Sequence, residues 1–293
     1  MYCMARHKSD KLYLTQSNDE NAQALIFQME SGADVIIHEE DFSKKSKEAK
    51  PIENKAVSGQ ETSVDERTSQ TSKAPQTPKG TAGWIEKARE AALACQTLDD
   101  LRRAIKDFEG LEVKNTATNM VFCDGNADAR VMVIGEAPGA DEDEQGKPFV
   151  GRSGRLLDLV LLSAGLSRKE ENPDKALYIS NFLNWRPPGN RTPTPQEMSI
   201  ARPFIEKHIA LKKPDIILCA GAVAIQTLIE GAPTLSKARD KWHDYKPQTD
   251  GIELDKKIEL YALYHPAYLM RSPLQKKKAW HDMIKVMERL ESL

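Results

Sequence analysis

Four short apolar runs, each followed by a longer stretch with helical spacing, constrain this chain more than any other feature. Val131-Met132-Val133-Ile134 carries no polar residue, which is the pattern of a strand buried on both faces of a parallel sheet rather than one wet on one side. The pairing recurs. The run at 131–134 leads to a helix over about 153–164, and 177–180 leads through a Pro-rich loop to a helix over about 195–211. The run at 215–219 leads to 222–229, and 258–264 to a final helix over about 274–293. Strand-helix alternation predicts a three-layer α/β/α fold around a central four-stranded parallel sheet. Right-handed crossovers would bring the four strand ends to one edge, and open parallel sheets bind ligands at such an edge.

That edge would carry chemistry. The first run ends in Gly135-Glu136-Ala137-Pro138-Gly139, the second in Asn181, the third in Gly221 and the fourth in His265. A carboxylate, an amide, a glycine that admits close backbone approach and an imidazole would therefore share one edge. The loop continues through Asp141, Glu142 and Asp143 to Gly146-Lys147-Pro148-Phe149-Val150-Gly151. Its acids, and the lack of a G-x-G-x-x-G pattern, argue against a phosphate cradle. Read one at a time, Asn181 also suits a turn, Phe149 a core anchor, His265 a structural histidine, and Leu269 and Met270 core positions.

Residues 1–80 look different. The stretch at 22–30, ended by Gly32, predicts a short helix. The stretch at 43–80 is rich in Lys, Ser, Thr, Gln, Glu and Pro and predicts a disordered linker. The chain therefore divides into an N-terminal extension, 1–80, which could bind a protein partner, and a domain, 81–293. That domain opens with two helices, over 84–95 and 98–108. No apolar block follows Arg6, Lys8 and Lys11, and no run is long enough to span a membrane, so a cytoplasmic, bacterial-type location is expected. The net charge of -2 points to no nucleic acid by itself, so a DNA footprint would be local. Arg271, Lys276, Lys277 and Lys278, with no acid among them, are its candidate.

Three blocks then fit together: Gly135 to Gly154; Tyr178-Ile179-Ser180-Asn181 with Arg186-Pro187-Pro188-Gly189-Asn190-Arg191-Thr192-Pro193-Thr194-Pro195; and His265-Pro266-Ala267-Tyr268-Leu269. In their order and spacing the region from about 115 to 280 resembles the type-4 uracil-DNA glycosylases. The resemblance implies a monomeric, monofunctional enzyme that removes uracil from DNA, leaves an abasic site and so initiates base-excision repair. It implies that Asn181 reads uracil O4 and N3–H with one carboxamide, that Phe149 stacks on the flipped base and that Gly135 and Ala137 line the pocket. His265 would donate to the 2-carbonyl, where charge develops, and Glu136 would stabilise the sugar cation or orient water, with Asp141, Glu142 and Asp143 able to contribute. Arg186, Asn190, Arg191, Leu269 and Arg271 would meet DNA, Leu269 as a wedge beside Tyr268 and Met270. A tight uracil-DNA binding protein is one alternative, although relatives of that kind carry an inserted loop with a nucleophilic histidine, and none stands between Asn181 and Ala201. A noncatalytic DNA-repair interaction module is the other.

The cysteines depart from the family pattern. Type-4 enzymes commonly hold a four-iron, four-sulfur cluster, and its ligand positions fall here at Phe108, Leu111, Trp185 and Ala201, whereas the four cysteines are Cys3, Cys95, Cys123 and Cys219. Cluster ligation needs converging thiolates. The expectation is no metal and no cofactor, with apolar and aromatic side chains in the cluster's place.

Overall fold

The computed structural model describes residues 80–231 and 233–293, together with the backbone of an antiparallel pair, β1 (Cys3–Arg6) and β2 (Leu12–Thr15). The expected helix at 22–30 and linker at 43–80 lie outside the described residues. The first two helices are α1 (Gly80–Ala94) and α2 (Leu98–Asp107). Thr97 starts α2 with a capping box: its hydroxyl accepts from Asp100 N at 3.1 Å, and the Asp100 carboxylate accepts from Thr97 N at 3.0 Å.

The sheet follows, beginning with β3 (Asp124–Gly125) and β4 (Val131–Gly135), then α3 (Ala140–Gln145) and α4 (Arg152–Leu162). Next come β5 (Leu177–Asn181), α5 (Pro195–Lys212), β6 (Ile216–Ala220), α6 (Ala222–Leu228), α7 (Leu235–Ala238) and β7 (Trp242–Asp244). The chain closes with β8 (Glu259–Leu263), α8 (Pro266–Arg271) and α9 (Lys276–Ser292). The strand order is β3-β5-β4-β6-β8-β7. The four expected strands form the parallel centre, and an antiparallel strand extends each edge. The sheet is thus six-stranded rather than four-stranded. A two-residue strand containing glycine and the polar trio Trp242-His243-Asp244 are too short to show an apolar run.

The chain steps outward from β4 to β5 and then crosses back over β4 to β6. This reversal puts the topological switch point at the carboxyl ends of β4 and β6, where such sheets open a crevice. Period-two alternation divides each central strand between two cores. Met132, Ile134, Tyr178, Ile217, Cys219 and Leu260 pack under α1, α2, α5 and α6, whereas Val131, Val133, Leu177, Ile179, Leu218 and Tyr261 pack under α4 and α9. The helical layers on both faces make the three-layer architecture.

An imidazole is sunk in the first core. His208 of α5 is 1 % exposed, stacks on Phe122 at 4.4 Å and 7°, and shares a 2.8 Å hydrogen bond through Nε2 with the Tyr178 hydroxyl. Burial, reinforced by Lys212, lowers its pKa to about 3. The unfolded chain would titrate this histidine near 6.5 and so binds more protons between those values, which makes stability fall as pH drops below about 6.5. We expect His208 to contribute about 1.4 kcal/mol per pH unit to that slope. Urea-unfolding free energies between pH 7 and pH 4.5 check this: the slope should flatten by that amount in His208→Gln.

Candidate active site

Gly135 and Asn181 end neighbouring strands and stand opposite each other in the β4–β5 ladder. A Cβ on Gly135 would lie 2.5 Å from Asn181 Oδ1 and 2.6 Å from Phe149 Cζ. Only glycine therefore lets the carboxamide and the aromatic ring converge at the end of β4. Asn181 is 2 % exposed, yet its carboxamide has no hydrogen-bond partner among the described residues. Its amide atoms are not among the fully occluded unpaired polar atoms, so they reach the pocket opening, where a ligand offering an acceptor and a donor could pair with them.

Phe149 closes the space from another side. It is 6 % exposed, holds φ at 52° in the left-handed region, and sits with its ring centroid 5.9 Å from that of His265. Its loop is shaped by acids. Glu142 accepts from Gly139 N at 3.0 Å, Val150 N at 3.0 Å and Gly151 N at 2.9 Å, while Asp143 accepts from Thr118 N at 2.8 Å and Asn119 N at 3.0 Å. Both carboxylates are buried. Both accept hydrogen bonds from backbone amides and thereby build the loop. The spacing of Gly139 and Glu142, a capping pattern at the start of α3, was the sequence signal for this role.

His265 reaches the same space from β8. Gly221, with φ at 100°, makes room for it, since a Cβ there would lie 3.1 Å from His265 Cβ and 3.2 Å from its Cδ2. His265 caps α8, and its Nδ1 accepts from Ala267 N at 3.2 Å. Burial holds its pKa below the usual histidine value; Arg271 adds to the depression and Glu142 opposes it. The ring is thus neutral, and because Nδ1 is an acceptor the proton belongs on Nε2, a fixed hydrogen-bond donor. Glu136 is half-buried; its backbone carbonyl accepts from Leu183 N at 3.0 Å, its carboxylate makes no hydrogen bond or ion pair among the described residues, and burial raises that carboxyl above the ordinary value. Ala137 is half-buried beside it and packs on the first core.

The sequence profile of the uracil DNA glycosylase superfamily matches residues 122–284, a span holding the whole sheet and each strand-end residue above. The chain belongs to this superfamily. A type-4 uracil-DNA glycosylase of Archaeoglobus fulgidus is 34% identical over 197 residues, covering 66% of this chain and 93% of the relative. Another, of Thermotoga maritima, is 36% identical over 156 residues, 53% of this chain and 73% of the relative. A third, of Pyrobaculum aerophilum, is 32% identical over 187 residues, 64% of this chain and 91% of the relative. The resemblance to the type-4 uracil-DNA glycosylases carried by the three motif blocks is upheld.

In this superfamily member the DNA-facing expectations divide. Asn190, at φ 57°, accepts from Arg186 Nε at 2.7 Å. With Asp141, Arg152, Ser153 and Met270 it borders an open cleft of about 340 Å³ where the three motif loops meet. Arg191 is instead held by Glu197, with bonds of 2.8 and 2.6 Å at the start of α5. Arg271, Lys277 and Lys278 are exposed, but Lys276 is buried. Leu269 is a correction. At 2 % exposure it belongs to the second core, because α8 turns it inward; half-buried Met270 lines the cleft in its stead.

The positions where the family's iron-sulfur ligands would fall are joined in space. Phe108, Leu111, Trp185 and Ala201 are all buried in the first core. The Phe108 ring meets Phe204 edge-on at 5.0 Å and Trp84 at 5.7 Å. Gly110 gives these rings their space, since a Cβ there would stand 2.5 Å from Trp84 Cε3. None of these side chains can ligate iron. Cys95 and Cys219 are buried elsewhere in that core, with burial raising both thiols. Among the described residues no three His, Cys, Asp or Glu side chains converge on a metal position. The donor set does not fit a cluster.

Proposed function

We propose that this chain is a monofunctional uracil-DNA glycosylase that hydrolyses the bond between uracil N1 and deoxyribose C1′, leaves an abasic site and works without an iron-sulfur cluster. The unpartnered, buried Asn181 carboxamide facing the Phe149 ring carries the reading. Uracil extruded from DNA would stack on Phe149 and present O4 and N3–H to Asn181; cytosine inverts both groups and would leave two buried mismatches. As the glycosidic bond breaks, its electron pair goes to uracil, and the charge collects on O2. His265 Nε2–H is the donor for that oxygen, an oxyanion-hole contribution of about 2.7–4 kcal/mol. Water adds to C1′ and its proton passes to solvent, with the Glu136 carboxylate orienting the water and stabilising the cationic sugar. The strand-end set offers no amine to form a Schiff base with the sugar, which supports hydrolysis by water alone. Arg186, Asn190, Met270 and Arg271 are proposed to meet the DNA as a monomer binds it.

The test is release of uracil from a synthetic uracil-containing oligonucleotide. Release no greater than that of an Asn181→Ala, His265→Ala double variant would overturn the reading. The pH profile separates Glu136. If its ionised form is required, activity rises with pH through a carboxyl that burial holds above the ordinary glutamate range, and that acid limb disappears in Glu136→Gln. An unchanged acid limb in Glu136→Gln would remove Glu136 from the chemical step.

A further inference from the structure

Arg168 lies in the loop between α4 and β5, outside the three motif blocks. Its side chain is 9 % exposed, and every arm of its guanidinium is engaged. NH1 donates to Pro148 O at 2.8 Å and Asp124 Oδ2 at 3.1 Å, NH2 donates to Phe149 O at 3.0 Å, and Nε donates to Asp158 Oδ1 at 2.9 Å. Two carbonyls of one short loop are thus gripped by one rigid fork, and two carboxylates on the far side balance its charge. We propose that Arg168 is a positioning residue for uracil recognition, holding the Phe149 peptide so that the ring faces the base pocket. The inference rests on the reading of Phe149 as the stacking platform.

The loop needs such a hold. Phe149 occupies the left-handed region at φ 52°, which a side chain with a Cβ adopts only when its surroundings impose it. The imposition comes from two sides. Across the peptide from Arg168, the backbone of α4 presses so closely that a Cβ on Gly154 would stand 1.9 Å from Phe149 O. One side thus pulls the carbonyl by hydrogen bonds while the other leaves it no alternative space. The ring that results is the one lying close to Gly135 and Asn181. Lysine could not replace the fork: an ammonium is a point charge with three donors and cannot span two carbonyls and two separated carboxylates. Asp124 belongs to the edge strand β3 and Asp158 to α4, so the clamp also ties the platform to two rigid elements.

The experiment measures inhibition by free uracil and the single-turnover excision rate in the full chain, for Phe149→Ala, Arg168→Lys and the double variant. We expect Arg168→Lys to raise the uracil inhibition constant about tenfold, equivalent to one decade of affinity, and to slow single-turnover excision similarly. The double variant should be no worse than Phe149→Ala, since without the ring there is nothing to position. Arg130→Met is the stability control: Arg130 bonds Asp215 at 2.5 Å and Asp174 at 3.2 Å at the opposite end of β4, and its loss should lower Tm while leaving the uracil constant within twofold. Should Arg168→Lys fail to fold, Asp124→Asn loosens the fork from the sheet edge and should raise the constant two- to fivefold. If Phe149→Ala weakens uracil binding while the Arg168→Lys or Asp124→Asn constant stays unchanged, or if the two losses multiply in the double variant, the positioning role is overturned. If Phe149→Ala itself leaves the constant unchanged, the platform reading fails instead.

Discussion

Replacing Asn181 with alanine is expected to lower kcat/KM on uracil-containing DNA at least about a hundredfold, while leaving the melting temperature essentially in place. The rate follows from two hydrogen bonds to a buried base, each worth about 1–3 kcal/mol when its loss leaves the other partner unsatisfied, and each 1.36 kcal/mol is a factor of ten. The stability follows from the free protein, where the carboxamide bonds no described residue and its removal breaks nothing. Single-turnover excision and thermal unfolding measured on one preparation separate the two. A rate within threefold of the parent would remove Asn181 from the pocket. A large fall in Tm would mean that the side chain holds the fold rather than the base.

Phe108→Ala should show the reverse pattern. The ring is buried against Phe204 and Trp84, and truncating a packed phenylalanine costs about 3–5 kcal/mol. For a folded unit of this size that corresponds to a fall of roughly 6–20 °C in Tm. Activity per folded molecule should persist at temperatures well below the transition, because Phe108 contributes nothing to the pocket edge. Iron analysis of parent protein purified without air belongs with this experiment. Stoichiometric iron would show that the aromatic packing is not the resting state of this region, and a Phe108→Ala protein as stable as its parent would show that the ring carries no packing load.

The central strands and the edge residues were legible because each follows from a local pattern. A run such as Val131 to Ile134 has one reading at strand length, and the residue after it must lie at the sheet edge. Gly135, Asn181 and His265 could therefore be placed together before any geometry was known. The edge strands were not legible, since the β3 pair Asp124 and Gly125 is too short to show periodicity. Leu269 was misplaced for a different reason. Its neighbours Tyr268 and Met270 are equally apolar, and which of three consecutive residues turns inward depends on how α8 meets α4 and α9, a tertiary fact. The hydrogen bonds of Glu142 and Arg168 are also tertiary: acids near a candidate site read as chemistry, and an arginine in a connecting loop reads as surface, until the backbone amides and carbonyls they bind come into view.

The packing of Phe108, Leu111, Trp185 and Ala201 bears on how the molecule comes to be finished. A region closed by four iron ligands is complete only after an assembly system has delivered the metal, and it is open to damage by oxidants for as long as it works. A region closed by aromatic and aliphatic side chains needs nothing beyond the polypeptide. If the chain works without a cluster, supply of its proposed repair activity would follow synthesis of the chain alone, and a shortage of iron would leave the layer of α1, α2 and α5 as intact as before.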